Sequence, residues 1–390
     1  MRARYTTMTV LAAGALVCAL ASCATTDETA PNDPPKSILD ASAPDSADAV
    51  ASDADAETPV SCDDVAWCPV ATNVSAVYAL TAVWGSSKND VWASGSGGSV
   101  IHWDGAAWMP TPLPTLTGVP VKNTFRALWG SGPNDVWVAS ATDLIFHSEG
   151  FKNGTAGWKA TPAVVAASSV PIYAAWGSGA GDVRFGSRSY YFSSPEAAFL
   201  ANQIVKQPAG AEAEWSASEG TAIVYGLWGS SADDLWLIGD NRAERAWQPG
   251  LTMHGTRQEK GLFWTEVDSR ASVVLRGIWG SSKSDVWTVG DQGTIRRFGP
   301  NATEWAIIES PTRETLHAVW GSSATDVWAV GESGTILHWD GTTWSASTAA
   351  FSNDSKKPNL YGVWGSGPSD VWIVGEGIAL HYTGNVGGSK

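Results

Sequence analysis

The chain has 390 residues, 39 acidic against 24 basic, a formal charge of −15 and 23 tryptophans. Such an acidic balance argues against a nucleic-acid partner, because phosphate binding needs clustered Lys and Arg. Each Trp can bury roughly 150–250 Å², so the tryptophans describe a core, and the places where they recur decide the architecture.

The first element in chain order is an export signal over residues 1–22. Arg2 and Arg4 open it, an apolar run from Val10 to Leu20 follows, and small residues close it. The run is too short to span a bilayer. The junction Leu20-Ala21-Ser22-Cys23 resembles a bacterial lipobox. That resemblance implies lipid attachment at Cys23, and Ala24 in place of Asp points to the outer membrane. Residues 23–61 are rich in Ala, Asp, Ser, Thr and Pro and hold no aromatic residue. Such a segment cannot bury enough apolar surface to offset ordering, and it is expected to be a disordered acidic tether. Cys18 leaves with the signal. Cys62 and Cys68 remain as an isolated pair, which in an oxidising compartment reads as a disulfide.

From residue 62 onward one phrase recurs seven times: a hydrophobic triplet, Trp-Gly-Ser, three loose residues, then Asp-Val-Trp. Its first Trp falls at Trp84, Trp129, Trp176, Trp228, Trp279, Trp320 and Trp364. The period is about 47 residues, the length of a propeller blade. Eight residues later come Trp92, Trp137, Arg184, Trp236, Trp287, Trp328 and Trp372, with Arg184 alone breaking the rule. The copy Leu316–Trp344 divides into four short strands, with a Glu332-Ser333-Gly334 turn and an Asp340-Gly341 hairpin. A strand-four Trp follows in six repeats: Trp108, Trp158, Trp215, Trp264, Trp305 and Trp344. The last repeat lacks one, but Trp67 stands upstream of the first at matching distance. The segment Val65–Val70 is therefore predicted to be the outer strand of the last blade, pairing near Ile378–Tyr382 and removing an open edge. Cys62–Cys68 would fix the arrival of this strand.

Residues 334–344, with Gly-x-Thr-Ile-Leu, Asp-Gly and Thr-Trp, resemble the blade repeat of the Ycf48-like and BNR/Asp-box propellers. The resemblance covers about Val65 to Thr383 and implies an all-β, seven-bladed β-propeller over 62–390. It implies little about function, because such propellers host binding proteins, assembly factors and glycosidases. No Ser-x-Asp-x-Gly-x-Thr-Trp string occurs, which argues against a sialidase.

Residues identical in every blade are expected to build the blade. The recurrent Asp (Asp90, Asp135, Asp182, Asp234, Asp285, Asp326, Asp370) is expected to accept backbone N–H bonds in its loop. Seven calcium sites would each need six to eight oxygens, and no acidic cluster recurs with it. His102, His147, His338 and His381 take matching places in strand three, whereas His254 falls in an apparent blade-four insertion, Asn241–Gly261. A second insertion, Phe185–Glu214, carries Tyr190, Tyr191 and Phe192. With the long connections Met109–Asn123 and Ser345–Asn359, these insertions offer a second recognition surface or tolerated drift.

The informative variation lies three residues before each Trp-Gly: Thr81, Arg126, Tyr173, Tyr225, Arg276, His317 and Tyr361, beside small or apolar neighbours. Strand one of a propeller is innermost, so these side chains either ring one mouth of the central channel or pack between blades with wet polar tips. Arg and Tyr are frequent binding anchors. Arg126, Tyr173, Tyr225, Arg276, His317 and Tyr361 are the candidate ligand-binding residues. No nucleophile elbow, zinc-protease helix or phosphate loop occurs, so no catalytic residue, metal or cofactor is assigned. The chain is expected to be a monomeric, exported lipoprotein whose propeller binds a protein or glycan partner at the cell envelope. A propeller glycosidase or lyase and a purely structural envelope protein are the alternatives.

Overall fold

The computed structural model describes residues 61–382 apart from 117, 142–143, 161–170, 189–202, 207–214, 218–221, 245, 260 and 352–355. The chain divides into residues 1–56 and a second unit, 57–390. The signal, Cys23, nearly all of the tether and Tyr190–Phe192 lie outside the described residues.

Seven four-stranded antiparallel sheets account for the strands. Blade six is typical, with Leu316–Ser323, Asp326–Gly331, Ile336–Trp339 and Trp344–Ala346 running from the inside outward. The strand-one elements touch in a closed circuit in which blade seven meets blade one. Strand two of blade six reads Asp-Val-Trp-Ala-Val-Gly, and everything after its Asp is buried. A blade has neighbours on both faces, so this strand shows no polar alternation. Strand four is only three residues long in most blades, which limits the exposed edge.

Blade seven takes its outer strand from the other end of the chain. Leu360–Gly367, Asp370–Gly375 and Ile378–Tyr382 are completed by Trp67–Pro69, with Trp67 opposite Tyr382 and Pro69 opposite Leu380. The Val70 N–H donates to the Ala379 carbonyl at 2.9 Å. Cys62 and Cys68 are joined at the start of this strand, with their Cα atoms 5.5 Å apart. The predicted closure is therefore present.

Two rings of tryptophan contacts hold neighbouring blades together. In the outer ring, the strand-four Trp of one blade meets the strand-two Trp of the blade before it, edge to face. Trp108 meets Trp372, Trp158 meets Trp92, Trp305 meets Trp236, Trp344 meets Trp287 and Trp67 meets Trp328, at centroid distances of 5.0–5.6 Å. Such geometry adds about 0.5–1.5 kcal/mol per pair beyond area burial. In the inner ring, each Trp of Trp-Gly lies against the Gly of the next blade's Trp-Gly: Trp84 on Gly130, Trp129 on Gly177, and so on to Trp364 on Gly85. That contact explains the invariant glycine. A Cβ on Gly130 would stand 2.5 Å from Trp84 Cη2 and 2.6 Å from the Asp135 carbonyl oxygen. Gly130→Ala is expected to lower the denaturation midpoint by the equivalent of about 1–3 kcal/mol. An unchanged midpoint would show that the indole can withdraw freely.

The recurrent Asp does not serve its loop through backbone N–H groups, as expected from sequence, but clamps side chains from three strands. One oxygen accepts the hydroxyl of the Ser in Trp-Gly-Ser in all seven blades, as with Ser178 Oγ to Asp182 at 2.8 Å. The other oxygen receives a nitrogen. In blades one, two, four, six and seven it is His102, His147, His254, His338 or His381, at 2.5–2.8 Å. Blade five uses Arg297 from the same strand-three position, at 2.7 Å. Blade three uses Arg184, the sequence exception, whose Nε reaches Asp182 at 2.8 Å. Register places Val205 opposite Arg184, where the other blades carry His or Arg. Blade three has thus lost the strand-three donor, and its strand-two residue supplies one instead.

Two insertions are corrected in the same way. His254 lies in Gly250–Gln258, strand three of blade four, stacked on Trp236. About half of Asn241–Gly261 is therefore blade. Within Phe185–Glu214, Gln203–Lys206 forms strand three of blade three.

The clamps carry a pH dependence. Burial pushes the carboxyls of Asp90, Asp135, Asp326 and Asp370 upward, but the His and Ser hydrogen bonds outweigh it and hold their pKa below the ordinary value. A depressed folded pKa stabilises above the unfolded value of about 3.9, and this contribution is lost as pH falls through the folded value. Thermal melting is expected to hold its midpoint down to about pH 4 and to decline below it. Asp326→Asn should show a shallower decline; a slope equal to the wild type would remove the clamp as its source.

Candidate functional site

Strand one pairs with strand two in every blade, and in every blade the register slips at one residue near its start. The skipped residues are Thr81, Arg126, Tyr173, Tyr225, Arg276, His317 and Tyr361. A β-bulge leaves a residue out of the ladder and re-aims its side chain. All seven line a single cavity of about 250 Å³ on the propeller axis, together with the two residues that follow each. The next residue is always small (Ala82, Ala127, Ala174, Gly226, Gly277, Ala318, Gly362), because the inner strands converge. A Cβ on Gly277 would come within 2.9 Å of Ala318 Cα. The six candidate residues and Thr81 thus share one wall, as channel lining.

The ring is not uniform. Tyr173 and Tyr225 meet edge to face at 5.2 Å, and the Arg276 guanidinium lies 5.6 Å from the Tyr225 ring. His317 lies 5.0 Å from the Tyr361 ring. The Thr81 hydroxyl donates to the Phe125 carbonyl of the next blade at 2.6 Å, which makes it a blade-to-blade tie. Burial, reinforced by the Arg276 and Arg126 charges, pushes the His317 pKa down to about 4, so the imidazole is neutral at physiological pH. Burial holds the Tyr225 and Tyr361 hydroxyls above their ordinary value, so both remain protonated donors.

Around this wall runs a rim that sequence reasoning missed. At the matching position just past the core of strand two stand Ser96, Ala141, Arg188, Asp240, Asp291, Glu332 and Glu376. Four consecutive blades, four to seven, carry a carboxylate there. The rim acids of the last three engage their own bulge residues. Arg276 Nε donates to Asp291, Tyr361 donates its hydroxyl to Glu376 at 3.0 Å, and Glu332 lies 3.8 Å from His317. Burial works against the Arg276 charge, but Asp291 holds its pKa above the ordinary value. The signal was in the sequence as Gly followed by an acid (Gly239-Asp240, Gly290-Asp291, Gly331-Glu332, Gly375-Glu376). Only the register shows that these acids face the ring. Arg126 differs. Its blade offers Ala141 at the rim, and among the described residues it has no ion-pair partner. The two arginines, equivalent by sequence, are therefore unlike: Arg276 is neutralised and Arg126 is open.

No family model matches the chain, and no curated protein matches it. Solved structures do. A YCF48 bound to a D1 peptide aligns at 16% identity and TM-score 0.60, over 82% of this chain and 97% of the other. YCF48 from Cyanidioschyzon merolae aligns at 17% identity and TM-score 0.61, over 81% and 98%. The WD40 propeller domain of Doa1 aligns at 11% identity and TM-score 0.59, over 82% and 98%. The fold is a β-propeller. At these identities the kinship is one of architecture, and it is shared with propellers of different repeat types.

The Ser-Asp-His clamps resemble a catalytic triad only in composition. In a triad the His stands between Ser and Asp and takes the Ser proton. Here the Asp stands in the middle and accepts from both. The hydroxyl is tied to a carboxylate, so the clamp braces a blade and activates no nucleophile.

Proposed function

We propose that the protein is a non-catalytic scaffold that captures a protein partner through a peptide segment seated over the channel mouth. The observation that carries this reading is the set of bulges, which turn one residue of varied chemistry per blade into a common cavity while the residues around them stay apolar or small. A repeat built only for stability has no need to vary those seven positions together. The YCF48 structure with its D1 peptide supports a peptide as the kind of ligand such a propeller can hold. Glycoside hydrolysis requires a pair of acids; the channel wall holds none among the described residues, and the rim acids Asp291 and Glu376 are engaged by Arg276 and Tyr361. Export and attachment to the envelope by lipid at Cys23 belong to the proposal and rest on the sequence alone.

The test is a pull-down from solubilised envelope with the lipid-free mature chain, compared with a Tyr173→Ala/Tyr225→Ala variant of unchanged melting temperature. A partner retained by the wild type and lost by the variant is the expected result. Equal retention by both would place recognition elsewhere on the propeller. Turnover of chromogenic glycosides would favour the enzyme alternative.

A further inference from the structure

We infer that the channel mouth is a carboxylate-binding subsite centred on Arg126, which receives one acidic side chain or one chain terminus of the partner. The inference rests on the scaffold proposal and names the chemistry of its ligand. The wall presents two guanidinium groups, three tyrosines, one threonine and an imidazole, with no carboxylate among the described residues. This is exceptional in a chain with a formal charge of −15. Arg276 already has its counter-ion in Asp291. Arg126 is exposed, stands on the blade whose rim residue is Ala141, and has no counter-ion among the described residues. A guanidinium binds a carboxylate through paired N–H donors in one plane.

Size and charge narrow the ligand. A cavity of about 250 Å³ lies below the 300–1,000 Å³ typical of sites for drug-sized molecules. It accommodates a single side chain or chain end rather than a run of sugar rings. The carboxylates Glu332 and Glu376 on the rim of blades six and seven, whose bulge partners His317 and Tyr361 are uncharged, repel a polyanion, yet leave the Arg126 side open to one charge. An isolated acidic group on an otherwise neutral or basic segment satisfies both constraints.

The experiment titrates the mature chain with blocked tripeptides: acetyl-Gly-Glu-Gly-amide, acetyl-Gly-Gln-Gly-amide and acetyl-Gly-Gly-Gly with a free C-terminus. Glucuronate and inorganic phosphate serve as further probes, and binding is followed by calorimetry at low salt. Arg126→Gln and Arg257→Gln, the latter an exposed arginine outside the channel that pairs with Asp233, are the comparison proteins, and near-UV circular dichroism confirms their fold. The carboxylate peptides are expected to bind weakly, the glutamine peptide at least tenfold more weakly, and added salt to erode the difference. Arg126→Gln is expected to remove that tenfold preference, and Arg257→Gln, the same charge change outside the channel, to retain it. Stronger binding by the glutamate peptide or by the free terminus identifies the source of the carboxylate. Equal binding of glutamate and glutamine peptides, a preference that survives Arg126→Gln, or no binding of any carboxylate probe overturns the inference. The pull-down is a separate readout: partner capture lost in the Tyr variant but kept in Arg126→Gln leaves the scaffold standing and removes the carboxylate subsite. Glucuronate binding tighter than both peptides would keep the carboxylate and overturn the peptide.

Discussion

Trp67→Ala is expected to destabilise the propeller by about 3–5 kcal/mol, the usual cost of truncating a buried Trp. Trp67 is fully buried, meets Trp328 of blade six edge to face at 5.0 Å, and packs on Tyr382 at 5.0 Å. Its strand is also the one element that ties the two ends of the described chain together. Its loss therefore removes a packing unit and loosens the pairing that closes the ring. A domain is stable by only about 5–15 kcal/mol, so the effect should show as a large drop in the urea midpoint and faster proteolysis near residue 61. Trp247, 76% exposed, is the control, and its truncation should change stability by less than about 0.5 kcal/mol. If the two variants melt alike, closure by the N-terminal strand is not what holds the propeller.

Arg184→Ala carries the second large expected effect, about 2–4 kcal/mol. Its side chain is 9% exposed and its partner Asp182 20% exposed. Removing the cation leaves a largely buried carboxylate with the Ser178 hydroxyl as its remaining side-chain donor, and breaking such a pair costs several kcal/mol. Restoring the repeat's own residue should recover only part of the loss. Arg184→Trp brings back an indole, which in blades one and two donates to the Asp at 3.2 and 2.8 Å, but it supplies no strand-three nitrogen, because Val205 stands opposite. Arg184→Trp with Val205→His should recover most of the loss. The coupling between the two substitutions is then favourable, and a double-mutant cycle in urea measures it. Additive or unfavourable coupling would mean that Arg184 is held by something other than the Asp182 clamp.

These two predictions mark the border between what could be read in the chain and what could not. The recurrence of Trp-Gly-Ser and Asp-Val-Trp disclosed the number of blades. The displaced Trp67 disclosed the closure, because a missing member of a periodic set has to be supplied from somewhere. The seven variable positions were found because their neighbours are uniformly apolar or small. The partners of the Asp were not legible. In every blade but the third, the His or Arg that reaches it comes from another strand, 11 to 20 residues away, and loop length shifts that spacing from blade to blade. For the same reason His254 looked like part of an insertion. Arg184 looked like a defect because its compensation lies at Val205, beyond a long segment with no repeat signal.

The sequence by itself determined the periodic part of this protein: seven blades, their strand order, the closing strand and the tryptophan framework. Periodicity is a property of the chain, and every copy must bury the same face. Only the tertiary structure decided the electrostatic part. It showed that the variable residues are bulges turned into one cavity, that Asp291 cancels Arg276, and that Arg126 is left open. Charge pairing depends on distances between blades and across a register, and neither is written in the order of residues along any single repeat.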